Sequence, residues 1–75
     1  MAGQGLKLDR GTRMMYDAQH VFINGESFRA GGRDARLMQR LADDRSLPAQ
    51  DVASLSDDAF SLVDEWARNG WLHGH

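Results

Sequence analysis

The chain has 75 residues, of which 41% are hydrophobic and 27% are charged, and its formal net charge is −2. This length makes one small domain, because independently folding units typically run to about 100 residues or more. The composition is that of a globular domain rather than a disordered tail, and the size leaves little room for a deep catalytic pocket. The absence of cysteine excludes a disulfide framework, a thiolate metal site and a cysteine nucleophile.

The sequence predicts no contact with a membrane. No apolar run approaches the roughly 20 residues that cross a bilayer, and the N-terminal stretch lacks a signal peptide's hydrophobic segment. Together with the lack of cysteine, which suits a reducing compartment, this pattern predicts a cytoplasmic protein.

Charge is distributed unevenly along the chain. Residues 1–45 carry eight basic and six acidic side chains, whereas residues 46–75 carry one arginine and five acidic side chains. Nucleic-acid binding depends on Lys and Arg that neutralise phosphates. The C-terminal part is therefore a poor candidate for contacting DNA.

The N-terminal third predicts a flexible lead over residues 1–5 and then extended chain from Leu6 to Arg29, within a single domain of residues 6–75. Asn24-Gly25 is a strong hairpin signal, because both central residues of a type I′ turn need a positive φ. A two-residue loop fixes the register, with Ile23 opposite Glu26 and Phe22 opposite Ser27. This register places Val21, Ile23 and Phe28 on the core face of a three-stranded meander and Phe22 on the far face.

The remaining chain predicts three helices and a short final strand. We expect a helix from about Arg33 to Asp44, a second from about Ala49 to Leu55, and a third that Ser56 caps and Asn69-Gly70 ends. Trp71-Leu72 then follows as the candidate final strand, returning to the sheet or packing under it. The expected fold class is α+β and winged-helix-like, with a small antiparallel β-meander followed by these helices.

The sequence offers no catalytic, cofactor-binding or metal-binding constellation. The only imidazoles are His20, His73 and His75, and the last two form a terminal spacing that we expect to be a frayed, solvated tail. A metal centre needs two or three such ligands converging on one point. The expected cofactor requirement of this chain is therefore none.

Two groups of side chains are candidates for a partner surface. One side of the first predicted helix is lined by Arg33, Arg36 and Arg40. These arginines either bind phosphate or an acidic partner, or they form a solvated face that pairs with nearby aspartates. The second group is aromatic and consists of Tyr16, Phe22 and Trp71. A domain this small buries one face of a small sheet, so Phe22 is expected to be exposed or to cover a partner.

Two stretches carry a family resemblance. Both stretches resemble parts of a known domain. The first is Met14 to Arg29, which contains Val-Phe-Ile-Asn-Gly-Glu at 21–26. The second is the helical part, with Arg36 to Asp43, Leu55 and Trp66 to Leu72. The known domain is the C-terminal winged-helix domain of bacterial cupin-type (JmjC-like) ribosomal oxygenases, and the resemblance covers residues 6–73. The family hydroxylates arginine in a large-subunit ribosomal protein with Fe(II) and 2-oxoglutarate.

The resemblance implies an accessory role for this chain. The family's iron triad, His-x-Asp/Glu…His, belongs to a separate upstream jelly roll, and neither His20 nor His73 is followed by that pattern. The implied role is a non-catalytic domain that packs against a protein partner, either a catalytic domain or a second subunit, and helps to shape a substrate surface.

Two other classes remain open. A DNA-binding winged helix would present basic or amide side chains to base edges. The candidate reading segment, residues 48–55, offers Gln50 but also Asp51, and the candidate wing tip at Asn24-Gly25 carries Glu26. Nucleic acid is therefore an unfavoured partner. The remaining class is a small homo-oligomer.

Overall fold

The computed structural model describes residues 5–74, which form six strands and three helices. In chain order the elements are β1 (Leu6–Leu8), β2 (Met14–Tyr16), β3 (His20–Ile23), β4 (Glu26–Arg29), α1 (Gly32–Asp44), β5 (Ser46–Leu47), α2 (Ala49–Val52), α3 (Asp57–Arg68) and β6 (Leu72–Gly74). The mixed α+β class, with strands first, three helices and a short final strand, is confirmed. Most of the predicted lead, residues 1–4, lies outside the described residues.

The meander of β2, β3 and β4 has the predicted register. Ile23 lies opposite Glu26, Phe22 opposite Ser27 and Val21 opposite Phe28. The turn has positive φ at both Asn24 (48°) and Gly25 (87°), as a two-residue hairpin of this twist requires. Val21 and Ile23 are buried on the inner face, against α1, so the alternation of side chains sets which face joins the core.

The second sheet joins three distant segments in the order β5–β1–β6, and the sequence did not reveal it. Leu6 lies opposite both Leu47 of β5 and Gly74 of β6, and all contacts in this sheet are antiparallel. The final strand was expected to return to the meander or to pack under it, but β6 pairs with β1. Gly5 is buried where the chain enters this sheet, and an added Cβ would lie 2.8 Å from the Leu47 carbonyl oxygen.

The expectation of a frayed C-terminal tail is wrong for His73 and Gly74, because both belong to β6. The His73 ring nitrogen Nε2 lies 2.8 Å from Asp9 Oδ1, which ties β6 to the loop after β1. His75 lies outside the described residues.

The third helix begins and ends at its predicted capping residues, whereas α1 and α2 begin without a side-chain cap. The Ser56 side chain accepts a hydrogen bond from the Ala59 amide at 3.2 Å, and Asn69 and Gly70 end α3. The second helix is shorter than expected: it ends at Val52, and residues 53–56 form the connection to α3.

One hydrophobic core lies between the helices and the two sheets. Trp66 of α3 is fully buried, and its ring lies 5.5 Å from that of Phe28 at an interplanar angle of 60°. Met38 and Leu41 of α1 are also buried in this core, together with Leu6 of β1. The core therefore joins both sheets through the helices.

Candidate interaction surface

The pair α2 and α3 has the order of a helix-turn-helix, in which the second helix enters the DNA major groove. Residues 53–56 connect the two helices, so α3 is the second helix of the pair. The sequence predicts residues 48–55 as the segment that would read DNA. In the structure the second helix of the pair, which would take that role, is α3 instead.

The solvent-facing side of α3 is acidic. It carries four carboxylates and one arginine: Asp57, Asp58, Asp64, Glu65 and Arg68. The Arg68 guanidinium is already paired with Asp64 on the same helix, with Nε 3.1 Å from Oδ2. A helix with this charge would repel the phosphates of a DNA groove.

The turn expected to act as a wing tip lies in a different sheet. Asn24 and Gly25 join β3 to β4 of the meander, whereas β6, which follows α3, pairs with β1. The second helix therefore presents an acidic rather than a basic surface, and the expected wing tip does not belong to the sheet that follows this helix.

Asp34 of α1 holds the start of α3. Its carboxylate accepts hydrogen bonds from the Ser56 amide at 3.1 Å and from the Ser56 hydroxyl at 2.6 Å. The Ser56 oxygen in turn accepts from the Ala59 amide, so one serine links two helices. The carboxylate near this helix N-terminus has a structural explanation.

The three arginines of α1 have different surroundings. Arg40 pairs with Asp51 of α2, with Nη1 2.8 Å from Oδ2, rather than with the aspartates at the end of its own helix. Arg33 and Arg36 are exposed and form no ion pair within residues 5–74. Arg40 therefore connects α1 to α2, whereas Arg33 and Arg36 form a cationic surface on α1 that is unpaired in the described chain.

Phe22 lies on the outer face of the meander, as the register predicts, but it is only half-buried. Its ring stacks on His20 with centroids 6.2 Å apart, and Met15 lies opposite it on β2. Met15 is 68% exposed and is the most exposed large hydrophobic residue of the described chain. Sequence analysis missed it because the period-2 pattern of a three-residue strand is too short to orient Met14 and Met15.

Tyr16 and Trp71 have structural contacts of their own. The Tyr16 hydroxyl donates to the Asp43 carboxylate at 2.9 Å, which links β2 to the end of α1 and raises the pKa of Tyr16. The Trp71 carbonyl accepts from the Thr12 hydroxyl at 2.6 Å and from the Asp9 amide at 2.9 Å. Tyr16 therefore connects a strand to a helix, and Trp71 connects the loop after α3 to the loop after β1.

The structure does not bring the six candidate partner residues into one surface. Phe22 is on the outer face of the meander, whereas the arginines are on α1, which packs against its inner face. Tyr16 lies at the sheet edge next to α1, and Trp71 precedes β6. No single face of the described structure therefore presents all six.

The described chain has no site that fits iron. Its two histidines are on different elements, and each meets one carboxylate, His20 with Asp17 and His73 with Asp9. No group of three or more His, Cys, Asp or Glu side chains converges anywhere in residues 5–74. The residues therefore do not match the iron centre of the catalytic jelly roll, and no oxidation step is assigned to them.

Two loop carboxylates have perturbed acidities. The hydrogen bond from His73 and that from the Gly11 amide lower the pKa of Asp9 below its usual range. The pKa of Asp17 is lowered mainly by the Gln19 amide, with the His20 amide also donating at 2.7 Å. Both carboxylates are held in their charged form as loop-fastening acceptors rather than as proton donors.

The family comparison decides the class of this domain. The family model described as ROXA-like winged helix matches residues 1–73. The chain belongs to the ROXA-like winged-helix family. No curated protein and no solved structure matches it.

Membership in the ROXA-like winged-helix family agrees with the element order α1–β5–α2–α3–β6, in which β5 and β6 both pair with β1 in one sheet. Three contacts that position elements of this domain could not be predicted from the sequence. They are Asp34 with Ser56, Asp9 with His73, and Arg45 with two backbone carbonyls. The Arg45 guanidinium donates to the carbonyls of Asp9 and Thr12, each at 2.9 Å. Within the described residues, no helix is long and apolar enough to cross a membrane.

Proposed function

We propose that this ROXA-like domain is a non-catalytic interaction module that packs against a protein partner, either a catalytic domain or a second subunit. The acidic solvent face of α3 carries this proposal, because the helix in the reading position of a helix-turn-helix repels a polyanion. Membership in the ROXA-like winged-helix family supports it, since the resemblance to ribosomal oxygenases implies a domain that accompanies a catalytic domain.

The proposed partner domain is the Fe(II)- and 2-oxoglutarate-dependent jelly roll of a ribosomal oxygenase. The test mixes the chain with such a jelly roll encoded in the same genome and measures complex formation by calorimetry and size exclusion. We expect a one-to-one complex, and no succinate from 2-oxoglutarate when the chain is assayed alone. Failure to form a complex with that domain, or turnover by the isolated chain, would contradict the proposal.

DNA binding is the runner-up function, and electrostatics distinguishes it. The test is fluorescence anisotropy with a labelled 30-base-pair duplex at about 50 mM salt. This low salt concentration favours binding through phosphate contacts, because such binding weakens steeply as salt rises. We expect no saturable binding by the parent chain. Salt-sensitive binding in the micromolar range would instead support a regulator of transcription.

A further inference from the structure

The outer face of the meander contains a depression to which the proposed function assigns no role. Its volume is about 360 Å³, and Met15 and Phe22 form its apolar floor. The remaining lining residues are Gly11, Arg13, Asn24 and Gly25. Exposed apolar side chains that lie next to each other are typical of protein interaction sites.

The walls of this depression are held in place by the hairpin turn. The Asn24 side-chain oxygen accepts from the Arg13 amide at 2.9 Å, and the Asn24 amide donates to the Arg13 carbonyl at 2.9 Å. Nothing lies within 4 Å of a Cβ built on Gly25, so the space next to this lining residue is free. A preformed, rigid site loses little conformational entropy when it is occupied.

Arg13 is the one charged residue among those that line the depression, and the nearby Asp9 carboxylate already accepts a hydrogen bond from the Gly11 amide. Arg29 lies on the same outer face by its position in β4, and neither arginine forms an ion pair within residues 5–74. Asp17, the carboxylate near His20, already accepts the Gln19 and His20 amides. An acidic group on a partner that covers this face would therefore pair with Arg13 without breaking an ion pair within the described residues.

We infer that the depression, defined by Arg13, Met15 and Phe22, docks an acidic, apolar polypeptide segment of the partner. An apolar side chain packs on Met15 and Phe22, and an adjacent Asp or Glu accepts hydrogen bonds from the Arg13 guanidinium. The inference rests on the proposed interaction function and specifies the chemistry of the partner.

Other occupants fit this face less well. A second copy docking symmetrically with the same face would bring the Arg13 and Arg29 side chains of both copies into one contact, where like charges are unfavourable. A single-stranded nucleic acid would need aromatic side chains free to stack, whereas Phe22 is half-buried and stacked on His20.

The test uses a phage-displayed library of random 12-residue peptides, selected on the immobilised full chain. We expect enriched peptides in which Asp or Glu lies close to Leu, Phe or Trp. Fluorescence polarisation with the enriched synthetic peptides should show that Arg13→Glu and Met15→Ser each weaken binding about tenfold or more. Selection on Arg13→Glu should enrich Lys or Arg in place of the acidic residue.

Matched variants separate this site from effects on the fold. Arg36→Glu makes the same charge change on α1, and we expect peptide affinity within about twofold of the parent. Met15 is 68% exposed, so Met15→Ser should keep the parent's circular dichroism spectrum and thermal midpoint.

Each other outcome would overturn the inference. Basic consensus peptides, no enrichment, or peptides that bind Arg13→Glu and Met15→Ser as well as the parent would remove the site. Tighter binding to a 12-nucleotide oligouridine RNA than to the peptides would assign the face to nucleic acid. The jelly-roll complex is measured separately, so the interaction function can stand when this site fails.

Discussion

The two sheets of this domain contrast in how the chain builds them. The meander uses consecutive strands and two local turns, and it buries one face while leaving the other to solvent. The sheet β5–β1–β6 collects its strands from opposite ends and the middle of the chain. Its inward residues, including Leu6, Leu47 and Leu72, are almost fully buried.

This contrast separates two roles within 75 residues. The non-local sheet closes the fold, because its pairing brings the N-terminal and C-terminal ends of the described chain together around the core. The meander contributes one face to the same core and leaves the other exposed to solvent. We expect disruption of the first sheet to cost more stability than changes on the outer face of the second.

The largest expected effect is in β1. Leu6→Ala should lower the free energy of unfolding by about 2 to 5 kcal/mol, because Leu6 is fully buried and its truncation leaves a cavity. Urea unfolding monitored by tryptophan fluorescence measures the loss. The control Lys7→Ala, exposed on the same strand, should change stability by less than about 0.5 kcal/mol, and an equal loss in both variants would contradict the packing argument.

A smaller effect is expected at the turn of the meander. Asn24→Ala should lower the free energy of unfolding by about 1 to 3 kcal/mol, because it strains the positive φ and removes the hydrogen bond to Arg13. Asn24→Gly keeps the backbone freedom and should lose less. The comparison fails if urea midpoints show alanine to be as stable as glycine at this position.

The link between α1 and α3 comes next in size. Ser56→Ala should cost about 0.5 to 2 kcal/mol, because it removes the cap of α3 and the hydroxyl contact with Asp34. Ser61→Ala is the matched control on an exposed position of the same helix. Thermal unfolding by circular dichroism should separate the two variants, and coincident midpoints would refute the capping role.

The smallest effect concerns acid stability of the non-local sheet. Because the pKa of Asp9 is lower in the folded than in the unfolded chain, its stabilisation is present above about pH 4 and is lost as the pH falls through the folded value. Asp9→Asn should therefore reduce the drop in thermal midpoint between pH 6 and pH 3. The control Asp44→Asn, which changes an exposed carboxylate without a hydrogen bond in residues 5–74, should keep the parent's drop.

The local parts of the fold could be predicted from sequence. Asn24-Gly25 fixed the register of β3 and β4 because a two-residue turn leaves one pairing, and Ser56 marked the start of α3 through its capping chemistry. The strand β1 could not be paired in advance. Three residues give too little periodicity, and its partners at Leu47 and Leu72 are far away in sequence.

The candidate surface was predictable only in part. The outer position of Phe22 followed from register, whereas its stacking on His20 and the neighbouring depression depend on side-chain geometry. The pairing of Arg40 with Asp51 depends on how α1 and α2 pack, which sequence spacing does not give. Helical periodicity alone therefore could not separate Arg40 from the unpaired Arg36.

The pairing of Leu6 with Gly74 has a practical consequence for protein engineering. Because the two ends of the described chain are neighbours in one sheet, short linkers there would let this domain be grafted into a surface loop of a host protein. The host loop would need to open by little more than the spacing of adjacent strands, about 5 Å.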